Sequence, residues 1–538
     1  MYSASQFFAL GVSMAICIAA VLYADYFAQL LPKHEATLSI PEQHQMLASL
    51  AFHASKSGNA AASGVDSHDP PRVAFCCSAD LDVAVSAVEL MRSVQDLERQ
   101  QLQPSSELAE ELTKNHHERI GSLKQLQESF AYYFSSGAAA EQSTVSPEQF
   151  REIVSLADAL PGVKRRVGGN AATMAERASA EGCKVLLGAA MGKGMKPYFV
   201  DERIELVGDL TGPMHEDVHL VLEYAEGDTF RGYTSPRANR YYLNHDVQNA
   251  HLSVLEDFEH SLNAFQPDLV VFGGLQLMEV QTDAHLRSKR LAALSQVLQN
   301  LYVARTPTHY EFAAVSDFSH FNDTVRLVLP WVHSIGLNEQ ELFILHHYLV
   351  TGNEGVATTS RPTVADITAQ LHDLIQLASK ARANVHNVAL AQLSRIHFHT
   401  LQFHIVCQHQ SSKWADPTTA LIQSALMSSK VACGKSFNAS SISEKPTLMR
   451  TSADMEVDPE RIEILLAREQ VLSARQALKL TLDPLSPVYT WQEADFQCHL
   501  VPMLACKKPD HTAGLGDNIS GTGIAYHRIH KTTNEPKL

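Results

Sequence analysis

Apolar residues along this chain recur in two patterns, and the patterns alternate. Short, nearly continuous apolar runs read as buried strands: RVAFCCSADLDVAV, KVLLGAA, HLVLEYA, DLVVFGGL, THYEFAAV, WVHSIGLN and QCHLVPMLA. Between them lie stretches with apolar residues three and four apart, the spacing of an amphipathic helix. One spans SSELAEELTKNHHERIGSLKQLQESFAYYF, with Ser105 and Ser106 able to cap its start. Another, SPEQFREIVSLADAL, has Ser146 as cap and Pro147 at the first helical position, and stops before Pro161 and Gly162. AATMAERASAEG reads as a helix ending at Gly182, and further helices fall within Thr282 to Tyr302, after THYEFAAV, at NEQELFIL and at the C-terminus. EGDTFRGYTSPRANRYYLNHD is polar and irregular. Strands alternating with helices predict an α/β fold, a largely parallel sheet with helices on both faces. Ligands of such sheets lie beyond the carboxyl ends of the strands.

The N-terminus departs from this pattern. Phe7 to Tyr23 is an uncharged apolar run close to the shortest membrane-spanning length, so residues 1–33 are expected to be a signal peptide or signal-anchor. A buried N-terminal helix is the other reading. Residues 34–70 mix Ala, Ser, Gly and His without sustained periodicity and are expected to be a flexible linker closed by DPPR. A folded region is expected over 71–532, with 533–538 as a tail. VTGNEGVATTSRPT and the stretch from Gly434 to about Asp458 read as surface insertions.

Composition narrows the partners. With 43 basic and 59 acidic side chains the net charge is −16, which disfavours binding to a nucleic-acid backbone but leaves room for one local anion site. At 45% hydrophobic and 19% charged residues, a sizeable core is affordable. The eight cysteines lack zinc-site spacing, and Cys433 with Cys506 is a plausible disulfide in an oxidising compartment. That compartment would be the secretory pathway, in the endoplasmic reticulum lumen or anchored to its membrane, with secretion as the alternative.

Several strand ends carry candidate chemistry. GLGD, Gly514 to Asp517, is a glycine-rich turn opening a helix, where backbone N–H groups and the helix dipole favour an anion. Asp517 there can accept a proton from an alcohol while Gly514 and Gly516 flank a transferring phosphoryl group. The overlapping Asn518-Ile519-Ser520 is a nominal glycosylation acceptor, as are Asn322-Asp323-Thr324 and Asn438-Ala439-Ser440. Glu311 ends one strand and Glu341 follows Asn338 at the next helix. Hard oxygen ligands of this kind suit Mg²⁺, although Asn338 with Glu341 equally makes a capping box. Asp82, Glu141, Gly169 and Asn170 follow apolar or small-residue runs and suit a sugar's hydroxyls, or helix caps. His397, His399 and His404 lack a completing ligand and read as structural.

In this order GAAAE, GGNAATMAERASAEGCKVLLGA, HLVLEY, SPRANRYYL, PDLVVFGGLQLME, HYEFA, GLNEQEL, RIHFHTL and GLGDNIS resemble the ADP-dependent glucokinases, members of the ADP-dependent sugar kinase family and the ribokinase-like superfamily. The resemblance covers roughly Val73 to Tyr526. It implies a Rossmann-type domain with a small α+β lid from insertions within about 84–150 and 200–250. It implies a glycolytic kinase that moves phosphate from ADP to the 6-hydroxyl of D-glucose, giving glucose 6-phosphate and AMP. Asp517 would be the base, Gly514 to Gly516 the anion hole, and Glu311, Glu341 and Asp517 would place Mg²⁺. Asp82, Glu141, Gly169 and Asn170 would hold glucose, and Asn239 with Arg240 would help bind the nucleotide phosphates. Ser78 stands where the family often has Asn, which implies one sugar contact fewer. A monomer is expected, associated with a membrane if at all through the N-terminal segment. ADP as donor comes from the resemblance alone. A kinase using fructose 6-phosphate or ATP, or a membrane-tethered non-catalytic sensor of glucose or nucleotide, are the alternatives.

Overall fold

The computed structural model describes residues 38–63, 70–101, 112–117, 119–138, 140–199, 201, 203–209, 216–315, 317–355, 363–384, 388–433, 462–466, 468–473, 478–507 and 514–527. A ten-stranded sheet forms the body. Its parallel part runs Arg395–His399, Ser334–Leu337, Thr308–Glu311, Leu269–Phe272, Arg72–Cys76, Lys184–Met191, Ile204–Asp209. Phe403–His409, Phe496–Pro502 and Tyr489–Glu493 extend it in antiparallel fashion. The four-residue strands at its centre are buried throughout, as expected for a sheet covered on both faces. The Cys433–Cys506 disulfide is present, and Cys407–Cys498 links two neighbouring strands of the sheet.

A second, five-stranded sheet forms a lid. Its order is Ala140–Ser143, Asn239–Asn244, Val218–Tyr224, Asp80–Ser86, Lys164–Gly168. One face packs Leu81, Val83, Leu220, Leu222, Tyr241 and Leu243 against the helices Ala87–Gln101, Leu123–Ser136 and Pro147–Asp158. By strand alternation the other face carries Asp80, Asp82, His219, Arg240, Tyr242 and Asn244. The lid thus starts at Asp80 and includes Lys164–Gly168, earlier and wider than the expected 84–150 insertion. Ile204–Asp209, inside the expected 200–250 insertion, belongs to the body sheet.

Three further expectations are corrected. Within the expected linker 34–70, Ile40–Ser63 is a helix whose Met46, Leu47, Leu50 and Ala54 are buried in the main core. Those positions form one helical stripe among Ala, Ser and His, too sparse to stand out by composition. The helix expected from Ser105 starts instead at Leu123, where the Ser122 side chain accepts from Gln125 N; residues 102–111 lie outside the described residues. The segment read as irregular contains the strand Asn239–Asn244, whose polar positions face the cleft. Ser146 caps Pro147–Asp158 as expected. Phe7 to Tyr23, the Asn438 sequon, the tail, half of the insertion VTGNEGVATTSRPT and all of the stretch from Gly434 to Asp458 lie outside the described residues. Among the described residues no helix is long and apolar enough to cross a membrane.

Candidate active site

The parallel strands deliver Cys76, Phe272, Glu311, Leu337 and His399 to the same edge of the body sheet. Glu311 is buried there, and Gly336 on the neighbouring strand has no side chain because the carboxylate lies across it. A Cβ at Gly336 would fall 1.9 Å from Glu311 Oε2. Glu311 accepts from His309 Nε2 at 2.9 Å, Ser520 Oγ at 2.7 Å and His399 Nε2 at 3.3 Å. Burial pushes its carboxyl up, but these hydrogen bonds and the charges of His309 and His399 outweigh it and hold the pKa at about 2. His399 in turn is raised: burial lowers it, and the bond to Glu311 with the charges of Glu311, Glu341 and Glu339 more than compensates.

Asn338 and Glu341 form the capping box that the sequence allowed. Asn338 Oδ1 accepts from Gln340 N and Glu341 N, while Glu341 Oε2 accepts from Asn338 N at 2.8 Å. Capping does not remove Glu341 from the edge. Burial raises its pKa to about 8 despite the bond from Asn338.

The last helix, Leu515–Tyr526, begins at Gly514 with φ 66°, a left-handed turn that glycine adopts without strain. Among the described residues no side chain caps it, which leaves its first-turn N–H groups open to an anion. Its Gly521 and Gly523 let it lie close against Met174, Arg177 and His397; a Cβ at Gly523 would sit 2.8 Å from His397 Cε1. Asp517 Oδ1 accepts from Asn170 Nδ2 at 2.8 Å, and Gln276 Nε2 donates to Asn170 Oδ1 at 2.9 Å. Burial raises Asp517 to about 7, with Asn170 opposing and the charges of Glu311 and Asp82 adding to the rise. Asn518 Nδ2 donates to Gly514 O within the turn, so the sequon's amide faces the turn of the candidate site. The Asn322 sequon is also unsuited: it lies in the helix Phe318–Leu327, bonded to Tyr348, with Thr324 buried.

On the lid, one cross-strand row reads Arg166, Asp82, His219, Asn244, Ser143. Arg166 Nε donates to Asp82 Oδ2 at 2.9 Å, and Asn244 Nδ2 donates to Glu141 Oε1 at 3.2 Å. Asp82 and Glu141 therefore share the face toward the body, where Asn170 and Asp517 lie. A cleft of about 440 Å³ opens beside them, lined by Glu141, Asn244, Arg119, Gln276, Asp317 and Phe318. Arg119 crosses it to donate to the carbonyls of Glu279 and Val280. Gly169 meets the lid crossover by its backbone: a Cβ there would fall 2.7 Å from Ala79 Cα.

Not every expected residue joins this set. Asn239 Nδ2 is spent on Gly137 O at 2.8 Å, closing the turn after Leu123–Ser136. Arg240 stands on the cleft face of the lid, over the Tyr242 ring. Ser78 is wholly buried: its Oγ accepts from Ala171 N and donates to Gly273 O, fixing the start of the Asn170 helix. His397 and His404 are buried and held neutral, as a structural reading requires; His399 is the member of that group that reaches the site. Gln276, His219, Asp246 and Asn249 were not singled out in the sequence, and Ser520 was noted there only as part of a glycosylation sequon.

Residues 71–526 match the model of the ADP-specific Phosphofructokinase/Glucokinase conserved region. The chain is 30% identical over 463 residues to the ADP-dependent glucokinase of Bos taurus, covering 85% of each chain. It is 27% identical over 420 residues to the probable ADP-dependent glucokinase of Caenorhabditis elegans, covering 77% of this chain and 79% of the other. Among solved structures, an ADP-dependent kinase in complex with fructose-6-phosphate and ADPβS superimposes with TM-score 0.57 at 14% identity, covering 90% of this chain and 97% of that one. The last common ancestor of ADP-dependent phosphofructokinases from Methanosarcinales gives 0.57 at 16%, covering 92% and 100%. These likenesses carry the fold, an α/β body with a lid.

Proposed function

Because the chain belongs to the ADP-specific phosphofructokinase/glucokinase family, we propose that it is an ADP-dependent glucokinase, transferring the β-phosphoryl group of ADP to the 6-hydroxyl of D-glucose. The observation that carries this reading is Asp517, buried at the head of an uncapped helix and aimed by Asn170. The sugar is held by Asp82 and Glu141 from the lid and by Gly169 and Asn170 from the body. Asp517 takes the proton of the 6-hydroxyl as the new O–P bond forms and the bond to the AMP oxygen breaks. The N–H groups at Gly514 to Gly516 face the negative charge that develops on the moving group. Lid closure excludes water, which would otherwise accept the phosphoryl group.

Glu311, Glu341 and Asp517 offer the hard oxygen donors that Mg²⁺ takes, with waters filling much of its shell, since among the described residues it is Asp80, Asp82 and His219 that bring ligand atoms within 4.8 Å of one another. Glu311, Glu339, Glu341 and Asp517 act on one another and on His399, and burial lifts Glu341 and Asp517 well above ordinary carboxylates. A divalent cation held by Glu311, Glu341 and Asp517 would relieve that burial cost and neutralise phosphate charge. Arg240 would reach the nucleotide phosphates from the lid.

Glucose is favoured over fructose 6-phosphate because Glu141, Glu279, Asp317 and Glu354 outnumber Arg119 around the cleft and oppose a second phosphate. The Cys407–Cys498 and Cys433–Cys506 pairs support a setting in the oxidising secretory pathway, with the apolar N-terminal segment as leader or anchor. The test is kcat/KM for glucose and fructose 6-phosphate, each with ADP and ATP. Preference for glucose with ADP supports the reading, and preference for the phosphorylated sugar or for ATP rejects it.

A further inference from the structure

One row of side chains crosses three neighbouring strands of the body sheet. His309 stands beside Ser334, and Ser334 beside Arg395, all three 0% exposed. Two residues further along, on the same face, the next row reads Glu311, Gly336 and His397. Hydrogen bonds join the first row end to end and then turn to the second. Arg395 Nη1 donates to Ser334 Oγ at 3.0 Å, Ser334 Oγ lies 2.8 Å from His309 Nδ1, and His309 Nε2 lies 2.9 Å from Glu311 Oε2. Arg395 is itself held in place. Its Nε donates to Nδ1 of His527, at the end of the last helix, at 2.6 Å, and its guanidinium lies over the Trp414 ring.

The donors and acceptors of this row can be arranged in one way. A guanidinium only donates, so Ser334 accepts from Arg395. Were His309 Nδ1 protonated, Ser334 would accept twice, and its own proton would find no acceptor among the described residues. Ser334 therefore donates to a bare Nδ1, and the ring's one proton sits on Nε2, aimed at Glu311. The same count excludes the doubly protonated ring, which burial also disfavours. The opposite tautomer would set a bare nitrogen against a carboxylate oxygen. Glu311 Oε1 has Ser520 and His399 as donors, whereas among the described residues Oε2 has His309 alone. We propose that Ser334 is a positioning residue for Glu311: oriented by Arg395, it selects the His309 tautomer that gives an N–H to Glu311 Oε2, and so keeps this carboxylate turned for a divalent cation. Outer partners of a metal-binding carboxylate act in this way, and losing one typically costs about 10–100-fold in metal affinity.

This inference rests on the assignment of Glu311 to the metal, and two readouts keep them separable. In the full-length protein, Mn²⁺ binding with ADP and without glucose, followed by electron paramagnetic resonance, should weaken about tenfold in Ser334→Ala. Glutamine has no tautomers, so the amide of His309→Gln can donate to Glu311 without help from Ser334. In the His309→Gln background, Ser334→Ala should therefore cost less than about twofold. A packing role for Ser334 would cost the same in both backgrounds and would overturn the proposal, as would unchanged Mn²⁺ affinity in Ser334→Ala. Nitrogen-15 NMR of labelled imidazoles gives the second readout, with the His309 signals identified by their absence from His309→Gln. The metal-free wild type should show Nε2 protonated and Nδ1 bare, and a proton on Nδ1 would overturn the proposal. If the wild type binds no Mn²⁺, the metal reading fails while the nitrogen-15 spectrum still decides the tautomer.

Discussion

Asp517 combines two properties that seldom coincide in an exposed carboxylate: a fixed direction and a proton affinity near neutrality. Asn170 fixes the direction, and burial supplies the affinity, raising the pKa to about 7. Asp517→Asn removes the acceptor but keeps the shape, so kcat should fall by about 10²–10⁴ while glucose binding, read by calorimetry, changes little. Near-normal turnover would remove Asp517 from the role. Gly516 tests the turn. A Cβ there would lie 3.3 Å from His399 Cε1, so Gly516→Ala must push the turn or the ring aside. A shift of that kind should cost up to about 10²-fold in kcat, measured at saturating glucose and ADP.

At the scale of elements, the helix Ile40–Ser63 is the largest revision. Leu50 is 0% exposed in the main core, and Gln423 Nε2 donates to Ala54 O, so the helix belongs to the catalytic body. Leu50→Ala should lower stability by about 2–5 kcal/mol in urea unfolding, whereas a residue in a linker would leave the midpoint unchanged. Strands such as Leu269–Phe272 and caps such as Ser146 were legible because their signals are local: a continuous apolar run, or a Ser before Pro. Ile40–Ser63, Lys164–Gly168 and Asn239–Asn244 were not. The first shows only a thin apolar stripe whose partners lie hundreds of residues away. The other two carry polar side chains because one face of the lid looks into a cleft, which erases the apolar run.

At the scale of the molecule, the site exists only where lid and body meet. Ordered motifs made Asp517, the glycine turn before it, Asp82 and Glu141 legible in the sequence as candidates, although Asp82 and Glu141 lie within lid strands and Asp517 within a helix. The contacts of Asp246 with His219 and Asn249 were not legible, because nothing in the local sequence around any of the three signals a partner. Glucose should draw the lid down, lowering the radius of gyration in small-angle scattering; an unchanged curve at saturating glucose would contradict closure. Chelation should abolish turnover and added Mg²⁺ restore it, with full activity in chelator counting against the metal assignment. The most direct measurement is phosphorus NMR of the purified protein with D-glucose, ADP and Mg²⁺. Glucose 6-phosphate and AMP should appear in equal amounts. AMP with free orthophosphate and no sugar ester, or ester formed only when ATP replaces ADP, would contradict the account.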